Sequence, residues 1–219
     1  MTRELAENTS KTTDDNALGG RLPLLIPADF ETDQETLYQQ IDSTLIPWAS
    51  GAGFKGKLED GRFIGPYNQF LYSPNVARGF LQFMAAEAKS TTLSKRVREV
   101  VILSVGAVWQ SAYQLYAHAA LAHQAGISER AIASLIAGEV SEDLLPEEVA
   151  AYHFARQLTA KHRVDDETYR NAEAAFGQEG VVDMTFLVGL YLYTSAALNV
   201  FQVGVPATGS SGGGVRRNT

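Results

Sequence analysis

Apolar residues recur along this chain at helical spacing, and the segments between them carry proline, glycine or a capping side chain. Leu37, Ile41 and Leu45 mark the inner face of a helix that starts at Asp33 and ends near Pro47. Ser73-Pro74 opens the next, with Val76, Phe80, Phe83 and Met84 as its stripe. Thr91 to Ser94 open a central helix whose Val97, Val100, Val101 and Val105 face inward, with a break near Trp109-Gln110. A second central helix follows to Gly126, then a shorter one from Ser128 to about Gly138. Leu145-Pro146 begins a helix packed by Val149, Tyr152, Phe154 and Leu158, and Asp165 caps another that reaches Gly177. The last, Val181 to about Phe201, is apolar around most of its surface, as an interior or interface helix would be; Asp183, Thr194, Ser195 and Asn199 argue against a membrane span. The pattern predicts an all-α domain over residues 21–206.

Outside that pattern, residues 1–20 are polar and predict a mobile arm, and residues 207–219, with GSSGGG and a basic end, predict a disordered tail. Arg21 to Pro27, RLPLLIP, is held out of helix by its prolines and should lie extended over the domain or over a neighbouring subunit. The Gly-rich segment SGAGFKGKLEDG lacks GxxxxGK[ST] and reads as a flexible surface loop.

Few polar residues fall on the apolar faces of the two central helices. Ser111, Gln114 and His118 lie at i, i+3 and i+7 on one face of the second, and Glu99 sits on the first while Lys95, Arg96 and Arg98 point to solvent. If the helices fold back on each other, a carboxylate meets an imidazole, a pairing that proton-transfer chemistry uses. The structural alternative is a buried pair that only fixes helix register. His123 lies about 140° around the helix from His118, a poor two-histidine metal site, and no HExxH spacing occurs. No metal or cofactor is expected.

The pattern E-x11-S-x2-Q-x3-H, formed by Glu99, Ser111, Gln114 and His118, resembles the E-x11-C-x2-C-x3-H signature of the carboxymuconolactone decarboxylase and AhpD-like alkylhydroperoxidase superfamily. The likeness extends over roughly residues 60–206, and Gly65-Pro66-Tyr67-Asn68 resembles the GP-[FY]-N segment ahead of the core helices in that superfamily. The resemblance implies an AhpD-like helical bundle assembled as a homo-oligomer, dimeric or built from trimers. In peroxidase members two cysteines carry the redox chemistry. Here Ser111 and Gln114 take those positions in a chain without any cysteine, so thiol peroxidase activity is excluded. The decarboxylase-like branch is what the resemblance then implies. In it His118 would move a proton on a carboxylated lactone, β-keto acid or similar enolisable molecule, and Glu99 would orient it; the reverse assignment stays open. Ser111, Gln114 and Tyr113 would bind substrate oxygens, Tyr67 and Asn68 would line the pocket mouth, and Trp109 and Tyr116 would be lesser wall candidates. The alternative is a non-catalytic ligand-binding or assembly protein on the same fold.

Composition narrows the partners. A chain of 219 residues with 45% hydrophobic content suits one domain with a sizeable core. A net charge of -7 and a pI near 5.1 give no footprint for nucleic acid, and no basic amphipathic helix suggests a membrane surface. A cytoplasmic protein with a small-molecule substrate and itself as partner is the expectation.

Overall fold

No side of the helix that carries Val100, Ile102, Leu103 and Ser104 is left in water, because consecutive residues from Val100 to Gly106 are all buried. A helix apolar all round needs neighbours on every face. A computed structural model, which describes residues 17–207, supplies them. After a 3-10 turn at Pro27–Asp29 come α1 (Thr32–Gly51), α2 (Pro66–Phe70), α3 (Pro74–Ser90), α4 (Lys95–Trp109), α5 (Ala112–Gln124), α6 (Glu129–Ala137), α7 (Pro146–Lys161) and α8 (Asp166–Val200). Helix α4 packs against α5, α6, α7 and α8, while α1, α2 and α3 form a second cluster leaning on α8. The fold is all-α: among the described residues the extended pairing is one isolated bridge, Lys57 with Phe63. Of the arm expected over residues 1–20 and the tail expected over 207–219, residues 1–16 and 208–219 lie outside the described residues, whereas the Arg21 amide donates to the Phe201 carbonyl (2.7 Å) and ties the two ends of the domain together.

Local chemistry accounts for the element ends. Ser94 caps α4 through its hydroxyl, which accepts from the Val97 amide, and Gln110 closes it in a left-handed conformation (φ 52°) that turns the chain into α5. Asp183 on α8 reaches back to the start of α4 and accepts from the Thr92 amide (2.7 Å) and hydroxyl (2.8 Å). The two last helices expected from the sequence are one run, α8, broken at Gly177, whose φ of 67° and ψ of 178° suit glycine. By length and composition α8 could cross a membrane, but Met184, Leu187 and Val188 on its inner side join the α4–α7 core.

Four sequence expectations need correction. Helix α1 runs on through Pro47 to Gly51, and its start is capped by Glu31 and Gln34 rather than by Asp33. The buried stripe of α3 is Ala77 and Leu81 flanked by Phe80 and Met84, whereas Val76 and Phe83 are exposed; alanine carries an inner position that a pattern of large residues overlooks. Arg96 and Arg98 are not free in solvent. Arg98 makes a two-pronged pair with the buried Glu87, one arm at 2.7 Å, and Arg96 does the same with the buried Glu148 at 2.6 and 3.1 Å. The Gly-rich segment is a packed loop, with Phe54 buried in the α5 and α8 contact.

Leu103 sits at the centre of the α4, α6 and α7 contact without exposure. Leu103→Ala is expected to cost about 2–5 kcal/mol, read as a drop in the urea midpoint with unchanged slope.

Candidate active site

The left-handed turn at Gln110 lays α5 against α4, and one turn of each helix brings Glu99 and His118 together. His118 Nδ1 lies 2.8 Å from Glu99 Oε2, with both side chains largely withdrawn from solvent. A carboxylate at Nδ1 accepts a hydrogen bond from the N–H of that nitrogen, which favours the tautomer with the Nε2 lone pair free. Tyr191 from α8 closes edge-on against the imidazole, ring centres 4.9 Å apart and nearly perpendicular, which fixes the plane of the ring from a third helix.

The other side of the imidazole lines a small cavity of about 70 Å³. Leu45, Trp48, Phe54, Phe70, Met84 and Leu190 give it an apolar wall, and Tyr67, Tyr113, Gln114, Tyr191 and Thr194 supply its polar atoms. Several of those atoms are already engaged. The Tyr113 hydroxyl donates to the Lys55 carbonyl (2.5 Å) and the Thr194 hydroxyl to the Leu190 carbonyl (3.0 Å). Gln114 is used at both ends, its Nε2 donating to the Ile102 carbonyl (3.0 Å) and its Oε1 accepting from the Ser195 hydroxyl (2.9 Å), so it pins α5 to α4 and α8. Burial pushes the phenols of Tyr67, Tyr113 and Tyr191 above their ordinary range, and the nearby Glu99 carboxylate adds to the effect on Tyr191. All three therefore stay protonated at neutral pH; Tyr113 directs its O–H to the Lys55 carbonyl, and Tyr67 and Tyr191 keep theirs to donate.

The sequence candidates divide. His118, Gln114, Tyr113 and Tyr67 line the cavity, and Glu99 reaches it only through its contact with His118. Ser111 is fully buried away from it, its hydroxyl without a hydrogen-bond partner. Asn68 faces the N-terminal segment: its Oδ1 accepts from the Leu25 amide and its Nδ2 donates to the Pro23 carbonyl, both at 3.1 Å, which lays RLPLLIP over its own domain. Tyr116 stands behind Tyr113 and accepts from the Lys55 amide (3.2 Å), and Trp109 is exposed, its carbonyl taking a bond from Asn199 (2.7 Å). Tyr191 and Thr194 were missed by pattern reading, since α8 reads as uniformly apolar. The available signal was a tyrosine with a threonine three residues on, which puts two hydroxyls on one face of such a helix. Trp48 and Phe54 were also missed; they reach the cavity from the end of α1 and from the packed loop.

A glycine makes the wall possible. Gly65 adopts φ 63°, and a Cβ there would lie 2.2 Å from the Tyr113 ring, so the turn before α2 and the tyrosine interlock.

Residues 74–157 match the sequence model of the carboxymuconolactone decarboxylase family. A comparison with curated proteins gives no significant match. Among solved structures, an alkylhydroperoxidase AhpD core, an uncharacterized peroxidase-related protein from Ralstonia eutropha JMP134, is 18% identical with a TM-score of 0.67, covering 86% of this chain and 93% of its own. A putative antioxidant defence protein AhpD from Agrobacterium tumefaciens is also 18% identical, with a TM-score of 0.60 over 64% of this chain and 97% of its own. The debrominase Bmp8, in a cysteine-to-alanine variant bound to 2,3,4-tribromopyrrole, is 11% identical with a TM-score of 0.65, covering 86% and 94%. At these identities the likeness carries the fold alone.

Because the Ser111 hydroxyl is buried without a partner, Ser111→Ala is expected to leave stability unchanged or raise it by up to about 1–2 kcal/mol, measured by urea unfolding. A substantial loss would instead mean that the hydroxyl holds a bond. Residues 74–157 thus carry a carboxymuconolactone decarboxylase family segment, set in a chain whose fold is AhpD-like and whose sequence holds no cysteine.

Proposed function

We propose that the protein is a lyase or isomerase of the carboxymuconolactone decarboxylase type, in which Glu99 and His118 move a proton on an enolisable small molecule held in the adjoining cavity. The observation that carries this reading is the 2.8 Å contact between His118 Nδ1 and Glu99 Oε2 beside an apolar cavity that His118 lines, with Nε2 left without a protein partner among the described residues. In the proposed step the electron pair left on carbon, by loss of CO₂ or of a proton, delocalises onto a carbonyl oxygen. His118 delivers or removes the proton at carbon, Glu99 holds its orientation, and buried tyrosine hydroxyls donate to the oxygen. Carboxylated lactones and β-keto acids are the substrates the decarboxylase branch suggests. A thiol mechanism has no residue to run on.

A non-catalytic ligand-binding protein is the second reading, favoured by one observation: neither side chain at the cysteine positions offers a free polar atom to the cavity, since Gln114 is bonded at both ends and Ser111 is buried elsewhere. In that reading Glu99 and His118 only fix the packing of α4 on α5.

Incubation in D₂O with carboxylated lactones and β-keto acids, read by mass spectrometry, separates the two. Under the first reading His118→Ala lowers turnover or deuterium uptake by about 10²–10⁴-fold with folding intact, and Glu99→Gln lowers it as well. Turnover retained in the folded His118→Ala protein rules the role out.

We further propose that the chain self-associates. Val182, Phe186 and Tyr193 form an exposed apolar stripe on α8, continued by Phe83 on α3, whose ring meets that of Phe186 at 6.0 Å. A second copy is the partner that such a stripe, repeated on every chain, suits. Phe186→Glu should shift the species seen by light scattering to lower mass. An unchanged mass would place self-association elsewhere or remove it.

A further inference from the structure

Three polar atoms at the cavity are without a protein partner among the described residues: His118 Nε2 and the hydroxyls of Tyr67 and Tyr191. The remaining lining is carbon or is already bonded, as Tyr113, Gln114 and Thr194 are. No lysine or arginine lines it among the described residues. The guanidinium nearest in effect to Tyr191, that of Arg98, is held by both arms of the Glu87 carboxylate. Lys55 meets Tyr113 and Tyr116 through its backbone, on the loop outside the wall.

This charge inventory sets what can be bound. The Glu99–His118 pair offers no net positive charge in either state: it sums to zero with the imidazole protonated and to minus one with the Nε2 lone pair free, so a ligand carboxylate would enter as an uncompensated negative charge against an apolar wall, a costly burial. An uncharged carbonyl oxygen has no such cost and finds two neutral phenol donors. Size points the same way: at about 10–15 Å³ per water-sized centre, the cavity holds roughly five to seven heavy atoms.

We propose that the cavity takes a compact, uncharged carbonyl compound, a small cyclic ketone or lactone, whose oxygen accepts hydrogen bonds from Tyr67 and Tyr191 while His118 Nε2 faces the carbon beside the carbonyl. This rests on the proton-transfer reading above, keeps its isomerase branch, and replaces the carboxylated substrates of its lyase branch by molecules that carry no carboxylate. The reaction is then enolisation. The Nε2 lone pair takes the α-proton, the C–H electron pair becomes a C=C bond, and the carbonyl π pair moves to oxygen, where the two phenols hold it. The imidazolium returns the proton to the same carbon or to a conjugated one, so isomerisation or exchange results with no oxidant, reductant or lost carbon.

The test uses the full chain with two ring compounds of equal heavy-atom count, cyclohexanone and cyclobutanecarboxylate, titrated calorimetrically, with deuterium uptake into cyclohexanone followed in D₂O. Cyclohexanone is expected to bind at least about 10-fold more tightly than the carboxylate, and Tyr67→Phe and Tyr191→Phe are each expected to weaken it about 3–10-fold, the worth of one hydrogen bond, without changing Tm. Equal or preferred binding of the carboxylate overturns the ligand class, as does binding of neither ligand or indifference to both tyrosine variants. Carboxylate preference together with uptake that needs His118 overturns this inference and leaves the proton-transfer reading standing. Selective ketone binding with no uptake supports the ligand class and refutes the proton transfer.

Discussion

Enclosure of α4 is the constraint on which the rest depends. A helix with neighbours on nearly every face cannot leave its polar atoms to water, so each must be met by a neighbour. The Ile102 carbonyl receives Gln114, Glu99 receives His118, Arg98 receives Glu87, and the α4 N-terminus is approached by Asp183 from α8. Attachments of this kind let such a helix lie in the core without a penalty, and they set how α5 and α8 lie across it. The imidazole that faces the cavity is thus one of several attachments, the one with a second nitrogen to spare.

The legible part of the site was the part carried on neighbouring turns of one sequence segment. Glu99, Gln114 and His118 share faces that periodicity alone can assign, and the break at Gln110 was marked by a change of phase in the apolar pattern. Fold class followed from the same periodicity. Less legible was anything decided by the approach of distant segments. Asn68 and Tyr67 are adjacent in sequence, yet one bonds the backbone at Pro23 and Leu25 and the other lines the cavity, a division set by which way α2 presents each side chain. Ser111 fell on the expected face but lies too close to the turn to reach the cavity. Tyr191 was hidden by composition, since a tyrosine among leucines and valines reads as core until its hydroxyl is placed. Arg96 and Arg98 were misread because their partners, Glu148 and Glu87, sit on other helices.

Replacing two thiols by serine and glutamine changes more than reactivity. A thiol is a small, weakly polar group content in an apolar setting, whereas a buried amide demands several bonds. Gln114 meets that demand by cross-linking three helices, which turns a position associated with chemistry into one that fixes geometry. The Glu99–His118 pair stands beside it, next to a cavity lined by carbon and phenol groups, and no thiol is among the side chains there.

The contact between Gly65 and Tyr113 has a consequence for how the sequence can vary over evolutionary time. With the ring 2.2 Å from where a side chain would begin and φ at 63°, position 65 rejects a larger residue on two separate grounds, and a smaller residue at 113 would remove only one of them. A smaller residue at 113 would also release the Lys55 carbonyl and empty part of the cavity wall. Lineages should therefore hold the glycine whatever stands at 113, so that the aromatic residue, more than the glycine, records which descendants kept the same cavity.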